Sequence, residues 1–227
     1  KTAAAFADFI AGTHLYAAIV TALFRRATTG QGAIVDISMQ DCVFPTLATT
    51  IGSFYAQGKQ MTRAGNSHTG NTLAPYNTYV ASDGYIAIIC IREGHFKKLC
   101  QAMDRPELAE DPRFHNFAAR CQNVTELDAE ITRWSAPKSR QTLLALTQAH
   151  GVICAPVNHL SEVVTDPHMT ARGSLHQRPH ETLGMIAQMQ TPLRLSGDTP
   201  PALTSTAALG ADSSEVLHDL LGLSQAD

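Results

Sequence analysis

The chain has 227 residues, enough for one large or two small domains around a substantial hydrophobic core. Apolar residues make up 44% and charged residues 16%, a balance that excludes a disordered tail or linker protein. With 17 basic against 20 acidic residues and a net charge of -3, there is no basic footprint for nucleic acid or an anionic membrane, and neither is an expected partner.

Asp8 stands in Phe6-Ala7-Asp8-Phe9, directly before a long apolar stretch. A carboxylate there sits near the polarised N–H groups of a helix start, which favours its charged form by about 0.3–1 kcal/mol. Aspartate is also a favoured N-cap, so the residue has a plain structural reading as well. From Phe9 to Arg26 the residues read as one helix, apolar nearly all round, the pattern of a helix buried in a larger structure. Its most apolar part, Phe9 to Phe24, is interrupted by Gly12, Thr13, His14 and Thr21, and is read as shorter than the roughly 20 residues of a membrane span. The basic start and small-residue cleavage site of a signal peptide are missing. His14 is read as a buried, internally satisfied histidine.

Thr28 to Gly32 stops this helix, and Ala33 to Met39 (AIVDISM) alternates like a strand. A second helix is expected from Asp41 to Tyr55. The polar segment from Gln57 to Asn77, which contains Gly58, Gly65, Asn66, Gly70 and Asn71, reads as a loop or linker. Beyond it, Thr78 to Val80 and Tyr85 to Ile91 are expected to pair as a hairpin about Ser82-Asp83-Gly84. Amphipathic helices are expected over Glu93 to Met103, around Asn123 to Trp134, and over Ser139 to His150, the last stopped by Gly151. Val152 to Val157 returns as a short apolar segment, and Ser213 to Leu221 closes the chain as a helix after a stretch of irregular or strand character. Residues from about 75 to 170 thus form an α+β unit.

The five cysteines are widely spaced and contain no C-x-x-C pair, so free buried thiols in a reducing cytoplasm are expected. The ten histidines show no ligand spacing, so no metal is expected. Neither a G-x-G-x-x-G fingerprint nor a Walker loop is present, which leaves dehydrogenase and phosphoryl-transfer readings without support.

Six blocks in order carry a resemblance: AAAFADFIAGTH, TTGQGAIVDISMQD, NTLAPYNTYVASDGYIAI, AMDRPELAEDPRF, HGVICAPVNHLSEVVTDPH and AALGADSSEVLHDLLGLS. Together they resemble the class III coenzyme A transferases, also called the CaiB/BaiF type. The resemblance implies an α/β fold, with a Rossmann-like large domain built from both chain ends, a smaller α+β domain inserted between them, and interlocked dimers. On that pattern residues 1–57 and 171–227 belong to the large domain, residues 58–77 are the linker and active-site loop, and residues 78–170 are the small domain. The sequence opens at Lys1, just before the matching aspartate, and is expected to be the C-terminal half of such a protein, whether truncated or encoded as a separate part.

By the same resemblance Asp8 is the nucleophile that attacks an acyl-CoA thioester, which makes coenzyme A thioesters and carboxylic acids the substrates, with no permanent cofactor. Gly65, Asn66, Gly70 and Asn71 fall where relatives carry a mobile glycine-containing loop over the active site, although a plain surface linker has the same composition. Met39 and Gln40 fall where the end of the AIVDISM strand approaches the CoA thiol arm, with a core methionine as the alternative. Asp83-Gly84 and Asp166-Pro167-His168 read as turn and helix-start chemistry. Two other functions stay open: an acyl-CoA racemase of the same superfamily, in which the aspartate moves protons, and a non-catalytic piece that folds with a partner.

Overall fold

The computed structural model describes residues 4–58, 63–68, 72–180, 182–197, 204 and 207–224. The chain divides into two compact units, Lys1–Val157 and Asn158–Asp227.

The first unit opens with α1 (Phe6–Thr29), 24 residues and about 36 Å long at 1.5 Å per residue. This differs from the sequence reading at both ends. The N-cap is Ala5, so Asp8 lies inside the first turn rather than before the helix. The polar residues expected to interrupt the apolar run do not break it, because each is satisfied within the helix. Thr13 Oγ1 donates to the Phe9 carbonyl at 2.9 Å and Thr21 Oγ1 to the Ala17 carbonyl at 2.8 Å, while His14 Nδ1 lies 2.9 Å from the Ile10 carbonyl. By length and composition alone, α1 meets the requirement for crossing a membrane, a weak indication that core helices of soluble proteins share. Nor is it buried in this chain: Ala11 is its one buried residue, and His14 is exposed.

Gly30, with φ of 73°, ends α1, and residues 31–38 follow without regular structure. The strand expected at Ala33 to Met39 is absent because a strand needs a neighbour to hydrogen-bond, and no described segment pairs with it. Met39 instead opens α2 (Met39–Val43), where the Ser38 hydroxyl accepts from the Asp41 N–H at 3.3 Å. The expected helix from Asp41 to Tyr55 is divided by Pro45 into α2, a 3-10 turn (Phe44–Leu47) and α3 (Ala48–Gln57).

The rest of this unit has a closed core. Strands β1 (Tyr76–Ala81), β2 (Gly84–Ile89) and β3 (Ile153–Val157) form an antiparallel sheet in that order. As expected, a two-residue turn at Ser82-Asp83 joins the first pair. Between β2 and β3 the chain forms α4 (Glu93–Ala102), α5 (Phe117–Gln122), α6 (Val124–Ser135) and α7 (Arg140–Ala149). Helix α6 packs on β1, and α7 packs on β2 and β3. Alternation along the strands decides which face they cover: Tyr79, Ala81, Ile86 and Ile88 are buried, whereas Val80 and Tyr85 between them are exposed. Asp83 Oδ1 accepts the Arg140 backbone N–H at 2.7 Å, so the turn aspartate also ties the hairpin to the start of α7.

Arg120 pins this core. It has no exposed surface, and its guanidinium lies between the rings of Phe96 and Phe117, 4.5 and 4.6 Å from their centroids. Its Nε donates to the Ala74 carbonyl at 2.8 Å and one terminal nitrogen to the Phe114 carbonyl at 2.9 Å. The other terminal nitrogen is 2.9 Å from Glu93, whose second carboxylate oxygen accepts the Phe117 N–H at 2.9 Å.

In the second unit are two short helices, α8 (Leu160–Val163) and α9 (Pro167–Ala171). Asp166 caps α9, accepting from the N–H groups of His168 and Met169 at 2.7 and 3.3 Å, in agreement with its reading as helix-start chemistry. Strands β4 (Leu175–His180) and β5 (Gly184–Met189) pair antiparallel, which gives the irregular stretch of the sequence reading a hairpin. The expected terminal helix is a single turn, α10 (Ser213–Glu215), continued by a π-helical turn Val216–Leu220.

Candidate active site

Asp8 is the third residue of α1, where first-turn N–H groups lack intrahelical acceptors and the helix dipole is positive. Its side chain is exposed, and among the described residues no hydrogen bond or ion pair engages the carboxylate. Asp8 and Ala11, spaced i and i+3, share a stripe of the helix, so Asp8 lies in line with the single position at which α1 is covered. A different face holds an open depression of ≈ 530 Å³ along Phe6, Phe9, Ile10, Thr13 and His14.

Met39 and Gln40 form the first turn of α2, both exposed, Met39 by 55%. The alternative of a core methionine therefore does not hold within this chain. Helix α2 packs against α1, which makes the helix opened by Met39 and Gln40 a neighbour of the one carrying Asp8. No hydrogen bond or ion pair joins the three side chains among the described residues.

Of the loop residues, Gly65 and Asn66 are described, whereas Gly70 and Asn71 lie outside the described residues. The Ser67 N–H donates to the Ala64 carbonyl at 3.0 Å, closing a turn with Gly65 and Asn66 at its centre. Gly65 adopts φ of 60°, a conformation that costs a residue with Cβ and that glycine takes freely. This turn places Asn66 on β1: its Nδ2 donates to Thr78 Oγ1 at 2.9 Å. The His68 ring stands edge-on to Tyr76 at 5.3 Å, and its Nδ1 is 3.0 Å from Thr72 Oγ1. Thr78, His68 and Tyr76 were not singled out by the sequence reading. The signal lay in the strand alternation, which puts Tyr76 and Thr78 on one face.

The buried thiols of Cys90 and Cys100 are not rival nucleophiles. All five cysteines are free, and burial pushes Cys90 and Cys100 up to about 12, against the smaller opposing pull of Arg120. Among the described residues no group of three or more His, Cys, Asp or Glu side chains is placed to hold a metal ion.

A family model described as CoA-transferase family III matches residues 1–213. The chain belongs to this family. Its membership confirms the CaiB/BaiF resemblance carried by the six sequence blocks. A succinyl-CoA–D-citramalate CoA-transferase of Chloroflexus aurantiacus is 33% identical over 222 residues, which covers 97% of this chain and 54% of the relative. A succinyl-CoA:mesaconate CoA-transferase of Haloarcula hispanica is 36% identical over 157 residues, 69% of this chain and 38% of the relative. Among solved structures, a CaiB/BaiF family protein from Brucella suis superposes with a TM-score of 0.78 at 33% identity, covering 97% of this chain and 56% of that one. The chain thus spans about half the length of the family members it matches, and its mixed α/β fold is theirs.

Proposed function

We propose that this chain supplies the nucleophilic carboxylate of an enzyme that moves coenzyme A from an acyl-CoA thioester to a free carboxylic acid. One observation carries the reading: in a chain of CoA-transferase family III, Asp8 presents an exposed carboxylate, engaged by no side chain among the described residues, in the first turn of a long helix. The Asp8 carboxylate attacks the thioester carbonyl, the C–S bond breaks, and CoA leaves as thiolate with a mixed anhydride left on the enzyme. The thiolate then attacks the aspartyl carbonyl, releasing the donor acid and leaving an aspartyl-CoA thioester. An acceptor carboxylate repeats both steps in reverse order, first expelling the thiolate to form a second anhydride, then receiving CoA as Asp8 is regenerated. Nothing is oxidised and no proton is consumed. A carboxylate suits this exchange because each intermediate is an anhydride or a thioester of comparable reactivity.

Anhydrides hydrolyse, so water must be kept away, and the turn at Gly65 and Asn66 together with Gly70 and Asn71 is assigned to covering the site. Met39 and Gln40 are assigned to the CoA thiol arm. The relatives are named for succinyl-CoA donors and for citramalate or mesaconate; for this chain the donor is placed as an acyl-CoA and the acceptor as a carboxylic acid. In the same reading, residues 1–57 and 171–227 complete a Rossmann-like domain, residues 58–77 link it to the small domain at 78–170, and the protein works as an interlocked dimer in the cytoplasm. The exposure of α1 favours a second reading, in which this chain is an assembly part that does chemistry only when further polypeptide covers that helix.

Mass spectrometry of the protein incubated with acyl-CoA and acceptor acid tests the assignment. The peptide covering the first dozen residues should carry the acyl or CoA adduct, be cleaved by hydroxylamine, and lose the adduct in Asp8→Asn. Turnover should fall at least about a thousandfold in that variant, the usual scale for loss of a covalent nucleophile. Racemisation without any adduct would instead identify an acid/base aspartate.

A further inference from the structure

Helix α1 is bare over most of its surface, but one face of it is covered. Ala11 is buried and Ala7, Ala18 and Ala22 are half-buried, whereas Ala17 and Ala27 are exposed. At 3.6 residues per turn the four covered alanines fall within about 60° of one another, and the two exposed ones lie off that face, so these alanines differ in what lies over them. Helix α2 packs on α1 and has Cys42 as its one buried residue, just as Ala11 is the one buried residue of α1. The buried alanine of one helix and the buried cysteine of the other mark the place where the two meet.

The connector between the helices explains how α2 arrives there. It leaves the far end of α1 at Gly30 and runs through residues 31–38 to Met39, which opens α2. Ala11 lies about 28 Å back along the helix from Gly30, at 1.5 Å per residue. An extended chain spans about 30 Å between Gly30 and Met39, so the connector reaches the level of Ala11 when it runs nearly straight back along α1. Its pattern of cover fits that course: Val35 and Ile37 are half-buried, while Ile34 and Asp36 are exposed, Ile34 by 99%. Asp8 precedes Ala11 by three residues and Met39 precedes Cys42 by three, so each lies on the stripe of its own helix that includes the meeting point.

We propose that Ala11 and Cys42 are positioning residues of the transfer reaction, and that their contact, reached by a connector with no slack, seats Met39 and Gln40 beside Asp8. The inference rests on the transferase reading for the roles of Asp8, Met39 and Gln40, and on the packing of α2 against α1 for the seat. Small side chains at both positions let the two helices approach closely. A larger one at position 11 lifts α2 and carries the turn of Met39 and Gln40 away from the carboxylate. A displacement of about 1 Å is enough to slow a reaction by about a hundredfold, because the reacting atoms must be held at contact distance.

The test uses variants of the full chain, with acetyl-CoA as the probe of chemistry. Ala11→Cys oxidised with diamide should form a disulfide between the introduced thiol and Cys42, read by peptide mapping, and Ala17→Cys should not. In the Ala11→Cys background, removing Asp36 and Ile37 shortens the connector by about 7 Å and should abolish that disulfide, whereas inserting two residues at the same place should leave its yield within about twofold. No disulfide from Ala11→Cys, an equal yield from Ala17→Cys, or equal losses on deletion and insertion overturns the seat. For the positioning role, Ala11→Leu should slow formation of the Asp8 adduct at saturating acetyl-CoA by about a hundredfold relative to Ala17→Leu, with the same urea midpoint in both. A merely structural role would move the midpoint and not the rate. In the wild-type background, the connector deletion should slow the adduct as the insertion does not, which keeps the role readable where Ala11→Leu fails to fold. Adduct formation at the wild-type rate in Ala11→Leu and in the deletion overturns the positioning role and leaves the catalytic reading intact. A wild type that is never acylated, while the disulfide forms and follows connector length, sinks the catalytic reading and leaves the seat as structure alone.

Discussion

Phe24 on α1 is 71% exposed, whereas Phe114 in the α+β core is fully buried, and the same contrast separates residues 4–58 from residues 72–157. The later segment closes on itself. Its sheet has helices on one face, its buried arginine donates two hydrogen bonds to carbonyls and forms an ion pair with Glu93, and its helices α5 and α7 are capped by Asn116 and Ser139. Along the earlier segment Phe6, Phe9, Tyr16 and Phe24 face outward, and the polar groups of α1 are satisfied within the helix. A helix finished in its polar groups but bare in its apolar ones is built to be covered by something else. The candidate nucleophile stands on that helix. Stability is thus carried by a self-sufficient core, whereas the candidate nucleophile stands on a helix whose apolar side chains are exposed.

Truncating the two phenylalanines tests this contrast at its largest. Phe114→Ala should cost about 4 kcal/mol, from lost burial plus the cavity left in a close-packed core. Phe24→Ala should change the unfolding free energy from urea titration by less than about 0.5 kcal/mol, as an exposed substitution does. Equal losses would show that α1 is covered in solution and that the two segments are not built differently. Arg120→Met comes next, at about 3 kcal/mol, because the two carbonyls and Glu93 lose their partner and the stacked rings of Phe96 and Phe117 lose the cation between them. A neutral result would make the arginine replaceable by apolar volume. Tyr79→Phe is smaller. The Tyr79 hydroxyl donates to Asp128 Oδ1 at 2.6 Å, and Asn77 donates to the other oxygen at 2.8 Å, so half of the aspartate's anchoring remains after the substitution. Burial, followed by the Asp128 charge, holds the phenol well above its ordinary range, so it stays protonated as a donor. Denaturant titration should give a loss of about 1 kcal/mol.

The same division decides what the sequence could reveal. Within the α+β core, local signals and tertiary structure agree. The Ser82-Asp83-Gly84 turn sits between two strands that pair with each other, and Ser139 and Gly151 mark the ends of α7, so both were legible from spacing and composition. Along residues 4–58 they part. AIVDISM alternates like a strand, yet a strand is a relation between two segments, and the partner is absent from the described residues. The apolar pattern of Phe9 to Arg26 was read as that of a buried helix, and in this chain α1 is exposed, because burial is a property of the neighbours and not of the helix. The missed division of the second helix has a local cause, since Pro45 follows Phe44 within the expected span and proline removes a helical donor. At the candidate site, Asp8 and the glycine turn were found through resemblance. Thr78 was passed over because a strand threonine has no chemical signal until a loop residue 12 positions away is seen to bond it.

The smallest effect lies at the surface of the core. Arg113 grips Asp111 with its side chain, Nε to Oδ1 at 3.1 Å and a terminal nitrogen to Oδ2 at 2.7 Å, and adds its backbone N–H to Oδ1 at 2.8 Å. These bonds favour the carboxylate over the acid and lower Asp111 to about 2. An aspartate in the unfolded chain titrates near 3.9, so the folded form is the weaker proton binder between the two values. The stability this contributes is complete above about pH 4 and is lost as the pH falls through about 2. Glu107 is lowered in the same direction by Arg105, so the acid dependence of the wild type alone does not isolate Asp111. The difference between wild type and Asp111→Asn does. Unfolding midpoints of the two proteins should run parallel above about pH 4, then converge towards about pH 2, with the gap narrowed by added salt because the pair is at the surface. A constant gap across that window would mean that the bridge adds nothing to the turn that leads into Phe114, and that the core holds this segment by burial alone.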